Sequence, residues 1–97
     1  MSLKPLTLET CVLRQTHAAK GRTEAMNPST SASRWLHYGR IILDAGAAAA
    51  TFTNSGRETA LIGLGGRARV TSAGSTYTLG RYDALYIPRD REISVQP

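Results

Sequence analysis

The chain is short of sulfur, imidazole and long apolar runs, and each shortage removes a class of protein. Among 97 residues there is one cysteine, Cys11. A single thiol cannot close an internal disulfide or build a Cys-rich zinc centre. Its neighbours Val12 and Leu13 suggest a small buried hydrophobe. An unbridged thiol suits a reducing cytoplasm. The two histidines, His17 and His37, are too far apart to form a metal-spaced pair. Each is expected at or near the surface rather than as a ligand or base. No Ser/His/Asp or Cys/His arrangement suggests nucleophilic catalysis. No apolar run approaches the ~20 residues of a membrane span. No charged-then-apolar leader with a cleavage site appears, so a cytoplasmic protein without membrane contact is expected.

What is present describes a small folded domain. Hydrophobic residues make up 41% of the chain, too many for disorder as a default. A domain this short buries only about 60–65% of its unfolded surface, so its core is modest. The net charge is +5 and the pI is near 10, which raises nucleic-acid binding as one function. The cations are dispersed, however: residues 1–48 hold six against three acids, and residues 49–97 hold six against four. Only Arg67/Arg69 and Arg89/Arg91 form close pairs. Ten arginines against two lysines is a strong bias, one that genome composition alone can produce.

Along the chain, residues 1–37 form a poorly patterned N-terminal segment. Residues 11–14 are a strand candidate. Residues 27–33 form a polar loop, because small hydroxyl and amide side chains compete for backbone hydrogen bonds. Trp35 and Leu36 are expected as an apolar anchor. From Tyr38 the pattern becomes β. Residues 40–44 read as a strand, and residues 47–53 as an extended segment, since four alanines cannot nucleate a helix. The clearest alternation follows. Ala60, Ile62 and Leu64 share one face, with Thr59, Leu61 and Gly63 on the other. Strands are then expected at 67–71, 76–79, 84–87 and 92–96, punctuated by Gly65-Gly66, residues 73–75 and Gly80. Short strands at regular spacing argue for an all-β sandwich or barrel. Pro88 lacks the N–H of a ladder and ends its strand.

In this β region the chain resembles a cupin, a small jelly-roll barrel. Gly46, Glu58 and Gly65 fall in register on the first part of the cupin pattern, with Phe52 and Asn54 at its two histidine positions. Pro88 falls on the second part, with Tyr82 and Asp90 at its glycine positions and Ile93 at its third histidine position. A transition metal in such a site wants imidazoles plus a carboxylate. Of the vestigial metal positions Phe52, Asn54, Glu58 and Ile93, only Glu58 keeps a ligand type. The resemblance therefore implies a metal-free cupin-like domain over residues 38–97, its interior refilled by Phe52 and Ile93.

More finely, residues 38–96 resemble the uronate ketol-isomerase family, which includes 5-deoxy-glucuronate isomerase and 4-deoxy-5-keto-uronate isomerase. The residues that carry this are Arg57-Glu-Thr-Ala-Leu-Ile-Gly-Leu-Gly-Gly66, Val70-Thr71, Gly74, Tyr77-x-Leu-Gly80 and Asp83-Ala-Leu-Tyr-Ile87. Such proteins are two-cupin chains of inositol or uronate catabolism, with the divalent metal and catalysis in the second cupin. The resemblance implies a non-catalytic N-terminal module with no cofactor of its own, acting structurally or in oligomerisation. Whether the chain counts as an enzyme stays open, since the family isomerises sugar acids while this sequence lacks the ligands and the second cupin. A free-standing cupin that binds a sugar acid without turnover is an alternative, with Asn54, Glu58 and Arg91 lining its pocket. Arg91 is the cation best suited to grip a carboxylate. Glu58 is otherwise expected to pair with Arg57, Arg91 or another cation, and Asp83 to bond local backbone N–H groups. Few strands remain to close a barrel, so open edges suggest a homo-oligomer or a second cupin as partner.

Overall fold

A computed structural model describes residues 4–97. The protein is all-β, and the described residues form eight strands in three antiparallel sheets and one four-residue helix. It divides after Ile42 into two units.

The first unit contains α1 (Leu8–Cys11), β1 (Gly21–Met26) and β2 (Tyr38–Ile42). The expected strand at 11–14 is not there. Thr7 and Thr10 form a reciprocal capping box, each side chain bonding the other's backbone N–H, and this turns the chain helical just before Cys11. Cys11 is exposed, not buried. β1 pairs with β2, from Gly21 opposite Ile42 to Met26 opposite Tyr38, with a register shift between Glu24 and Met26. The unit boundary therefore lies after Ile42 rather than after His37. Strand periodicity at 40–44 marked an extended segment but could not say that its partner lies upstream. The polar loop at 27–33 is braced by its own side chains: Asn27 Oδ1 accepts from the N–H groups of Ser29 and Thr30 at 2.8 and 3.1 Å. Trp35 is 80% exposed and Leu36 is also exposed, so neither anchors a core.

The second unit contains β3 (Ala50–Thr53), β4 (Thr59–Ile62), β5 (Ala68–Ser72), β6 (Ser75–Leu79), β7 (Ala84–Ile87) and β8 (Glu92–Gln96). β5 and β6 form a hairpin through Ala73-Gly74, whose φ values of 51° and 78° match the left-handed two-residue turn that strand twist favours. Outside this hairpin β4 pairs with β7, and outside that β3 pairs with β8. The pairs nest around one turn, as in a single long hairpin rolled up. β8 also pairs with β5, which gives a four-stranded sheet in the order β3-β8-β5-β6 and a separate two-stranded sheet, β4-β7. The unit is a small sandwich. Among the described residues no ladder joins its two sheets into a closed barrel.

Alternation explains the core. Val70, Leu79, Ile93 and Val95 of the larger sheet and Ile87 of the smaller are buried. Arg69 and Thr71 lie on the outer face. On β4 the inward set is Thr59 and Leu61, while Ala60 and Ile62 are exposed. Gly63 extends the β4–β7 ladder: its N–H donates to Asp83 O at 2.8 Å and its carbonyl accepts from Tyr82 N–H at 2.7 Å. A Cβ there would sit 2.2 Å from Gly80 O, so only glycine fits.

Tyr82 and Asp90 take left-handed backbone, with φ of 70° and 64°. Such a conformation costs a residue with Cβ roughly 1–2 kcal/mol. Tyr82 is exposed, so its ring returns little of that through burial. Tyr82→Gly is expected to raise the urea midpoint, and Tyr82→Val, β-branched, to lower it. Equal midpoints for the two variants would contradict the strain at this position.

Candidate functional site

Asn54, Glu58 and Asp90 lie toward one end of the sandwich, where β3 leaves its sheet and the β7–β8 loop returns, while Gly46, Gly65 and Tyr82 lie beyond the other ends of their strands. The centre is Asn54, only 5% exposed. Its Nδ2 donates to Pro88 O at 2.9 Å and to Thr59 Oγ1 at 3.0 Å, and its Oδ1 accepts from Arg91 N–H at 2.8 Å. Its own N–H donates to Arg91 O at 3.1 Å, and its carbonyl accepts from Arg57 N–H at 2.8 Å. A second tie lies beside it, where Gly56 N–H donates to Asp90 Oδ1 at 2.7 Å. Asn54 thus ties two loops more than thirty residues apart in sequence.

The other frame positions are equally committed. Phe52 and Ile93 are register partners on β3 and β8, so they share one face. Ile93 is 0% exposed and Phe52 is half-buried. Glu58 lies on the outer face of the smaller sheet, not in the interior. The Tyr86 hydroxyl donates to its Oε1 at 2.6 Å, so its partner is a tyrosine rather than the expected arginine. Spacing could not reveal this, because Tyr86 stands opposite Ala60 only once β4 and β7 pair. Arg91 is exposed, and its Nη1 donates to the carbonyls of Arg89 and Asp90 at 3.2 and 3.4 Å. Asn54 meets Arg91 through backbone alone, so Asn54, Glu58 and Arg91 are spent on separate local contacts. Asp83 does bond local backbone, accepting from Gly80 N–H at 2.8 Å.

The donor set does not fit a metal. Phe52 and Ile93 carry no donor atom, the Asn54 amide oxygen is already bonded, and Glu58 faces outward. Among the described residues no group of three His, Cys, Asp or Glu side chains converges. His37 lies in the first unit, its Nδ1 2.9 Å from Glu24 Oε1, and His17 is exposed. No described helix is long and apolar enough to cross a membrane.

Asp90 and Tyr86 titrate away from their ordinary values. The Asp90 carboxyl is lowered, first by the Gly56 N–H and then by Arg89. Its stabilising effect is therefore present above the ordinary aspartate range and fades as pH falls through the lowered value. The Tyr86 hydroxyl is raised above 10.0, chiefly because ionisation would break its bond to Glu58. That contribution is present at lower pH and disappears as pH rises through the raised value.

No family model, curated protein or solved structure matches the chain.

Two outcomes follow from this geometry. Asn54→Ala removes the side-chain partner of the Arg91 N–H and the Pro88 carbonyl at a part-buried site, so chemical unfolding should show a loss of about 1–3 kcal/mol. A loss below ~0.5 kcal/mol would mean that the loops hold without it. In a spectrophotometric titration, Tyr86 should ionise at higher pH in the parent protein than in Glu58→Gln. An unchanged tyrosine titration would remove the Tyr86–Glu58 bond from the solution structure.

Proposed function

We propose that this chain is a metal-free, non-catalytic cupin-like module of a 5-deoxy-glucuronate isomerase-like protein, with a structural role in packing against a catalytic cupin or in oligomer formation. The observation that carries this is the fate of the ion-holding frame. Three of its four glycine positions take left-handed backbone, Gly65 being the exception, and its remaining side chains do structural work. Gly46 has φ of 80°, and Tyr82 and Asp90, at two further glycine positions of the pattern, also take left-handed backbone. A chain built around that frame would keep those turns even after the glycines were replaced, since the turns direct the strands. The nested strand pairing supports the same view, because a rolled-up hairpin is how a jelly roll is made.

The replaced side chains support the non-catalytic part. Asn54 became a lock between loops, and Phe52 and Ile93 became a packed cross-strand pair. Glu58 became a partner for Tyr86 on the outer face. A carboxylate there cannot reach a metal among interior side chains, and a phenylalanine–isoleucine pair offers an ion no donor atom.

The test is the metal content of the purified chain after incubation with zinc, iron(II) and manganese salts and desalting. The expected result is a small fraction of one equivalent of each. One equivalent that withstands desalting and disappears in Glu58→Gln would overturn the proposal.

A further inference from the structure

The two outer faces of the sandwich differ completely in chemistry. The four-stranded sheet presents Thr51, Arg69, Thr71, Thr76 and Ser94. Hydroxyls bond across this face, Thr51 to Ser94 at 3.3 Å and Thr71 to Thr76 at 3.1 Å. The two-stranded sheet presents Ala60, Ile62, Ala84 and Tyr86, continued by Leu64. Ile62 is 63%, Tyr86 58% and Leu64 54% exposed. Its one charged group, Glu58, is already held by the Tyr86 hydroxyl.

The backbone says what kind of partner fits. Gly63 directs both its N–H and its carbonyl toward the β7 side. In an antiparallel ladder these directions alternate along the strand, so Ala60 and Ile62 direct theirs to the free edge of β4. Among the described residues no strand pairs there. A row of such groups is a ready template for a further strand.

Charge is compatible with a copy of β4 itself: Glu58, the carboxylate of its outward set, stands before the strand with Arg57 beside it, Arg67 stands beyond the other end, and Thr59, apolar residues and glycine lie between. An antiparallel copy sets the Glu58 end of one strand beside the Arg67 end of the other, twice over. A two-fold contact at this edge also sets Ile62 and Leu64 beside the same residues of the copy, which is the self-complementarity an isologous interface needs. The chain's positive charge does not oppose this, since residues 43–97 hold six arginines against five acids.

We infer that a second copy of this chain docks edge to edge along β4, continues the β4–β7 sheet across the two copies and sets its apolar strip beside the same strip of the partner. The inference deepens the structural role proposed above. It stands apart from the metal-free reading, which metal content tests and self-association does not.

The experiment is sedimentation velocity of the whole chain over rising concentration. The parent protein should pass from monomer to dimer. Ile62→Lys, at an exposed position, should weaken association by about tenfold or more with an unchanged melting curve. If Ile62→Lys misfolds, Leu64→Lys takes its place. In a Cys11→Ser background, Ile62→Cys should cross-link under mild oxidation and Thr71→Cys, on the polar face, should not. A parent protein that stays monomeric at its solubility limit overturns the inference. So does a dimer indifferent to these lysines, including one that dissociates only in Trp35→Ala, or equal cross-linking at positions 62 and 71.

Discussion

The second unit depends on one buried amide. Asn54 spends both of its Nδ2 hydrogens and its Oδ1 on the loop that follows β7 and on the start of β4. Those bonds close one end of the rolled-up hairpin, where the nested pairs would otherwise be joined only by their own ladders. A buried amide is costly when any of its groups lacks a partner, and here every one is met. The lock therefore both holds the loops and selects the register in which β3 and β8 meet. Phe52 faces Ile93 as a result.

The same arrangement separates the inner and outer faces. With Ile93 and Val70 fully enclosed, every second residue of their strands must face out, and on the larger sheet those residues are hydroxyls, charges and an amide. The smaller sheet follows the same alternation, but its outward residues are alanine, isoleucine and tyrosine. Glu58 belongs to that outer set and bonds with Tyr86. Carboxylate and hydroxyl are thus removed from the interior that a metal site would need. The apolar interior and the apolar exterior of the smaller sheet are two sides of one choice of which face turns inward.

Much of this was legible in the residues. Alternation located β4 through β8 within a residue or two. Gly74 marked the hairpin turn because its left-handed backbone is cheap only for glycine, and Pro88 marked the end of β7 because it has no N–H to donate. The missing ligand types were plain at Phe52 and Ile93. The N-terminal region was not legible. Thr7 and Thr10 make a helix cap where Cys11-Val12-Leu13 suggested a strand, since a reciprocal pair of hydroxyl bonds outweighs the β preference of one valine. Trp35 looked like core, yet its loop is braced by Asn27, Ser31 and Ser33 and holds it outward.

By itself the sequence determined composition and period: one thiol, two isolated histidines, dispersed arginines, and alternation fit for short strands. These are local properties, readable from a residue and its near neighbours. The tertiary structure decided which strand pairs with which, which of two alternating sets faces inward, and where Glu58 and Asn54 point. Those choices join residues far apart in sequence, 28 positions for Glu58 and Tyr86 and 37 for Asn54 and Arg91, and their energies exist only once the chain has folded back on itself.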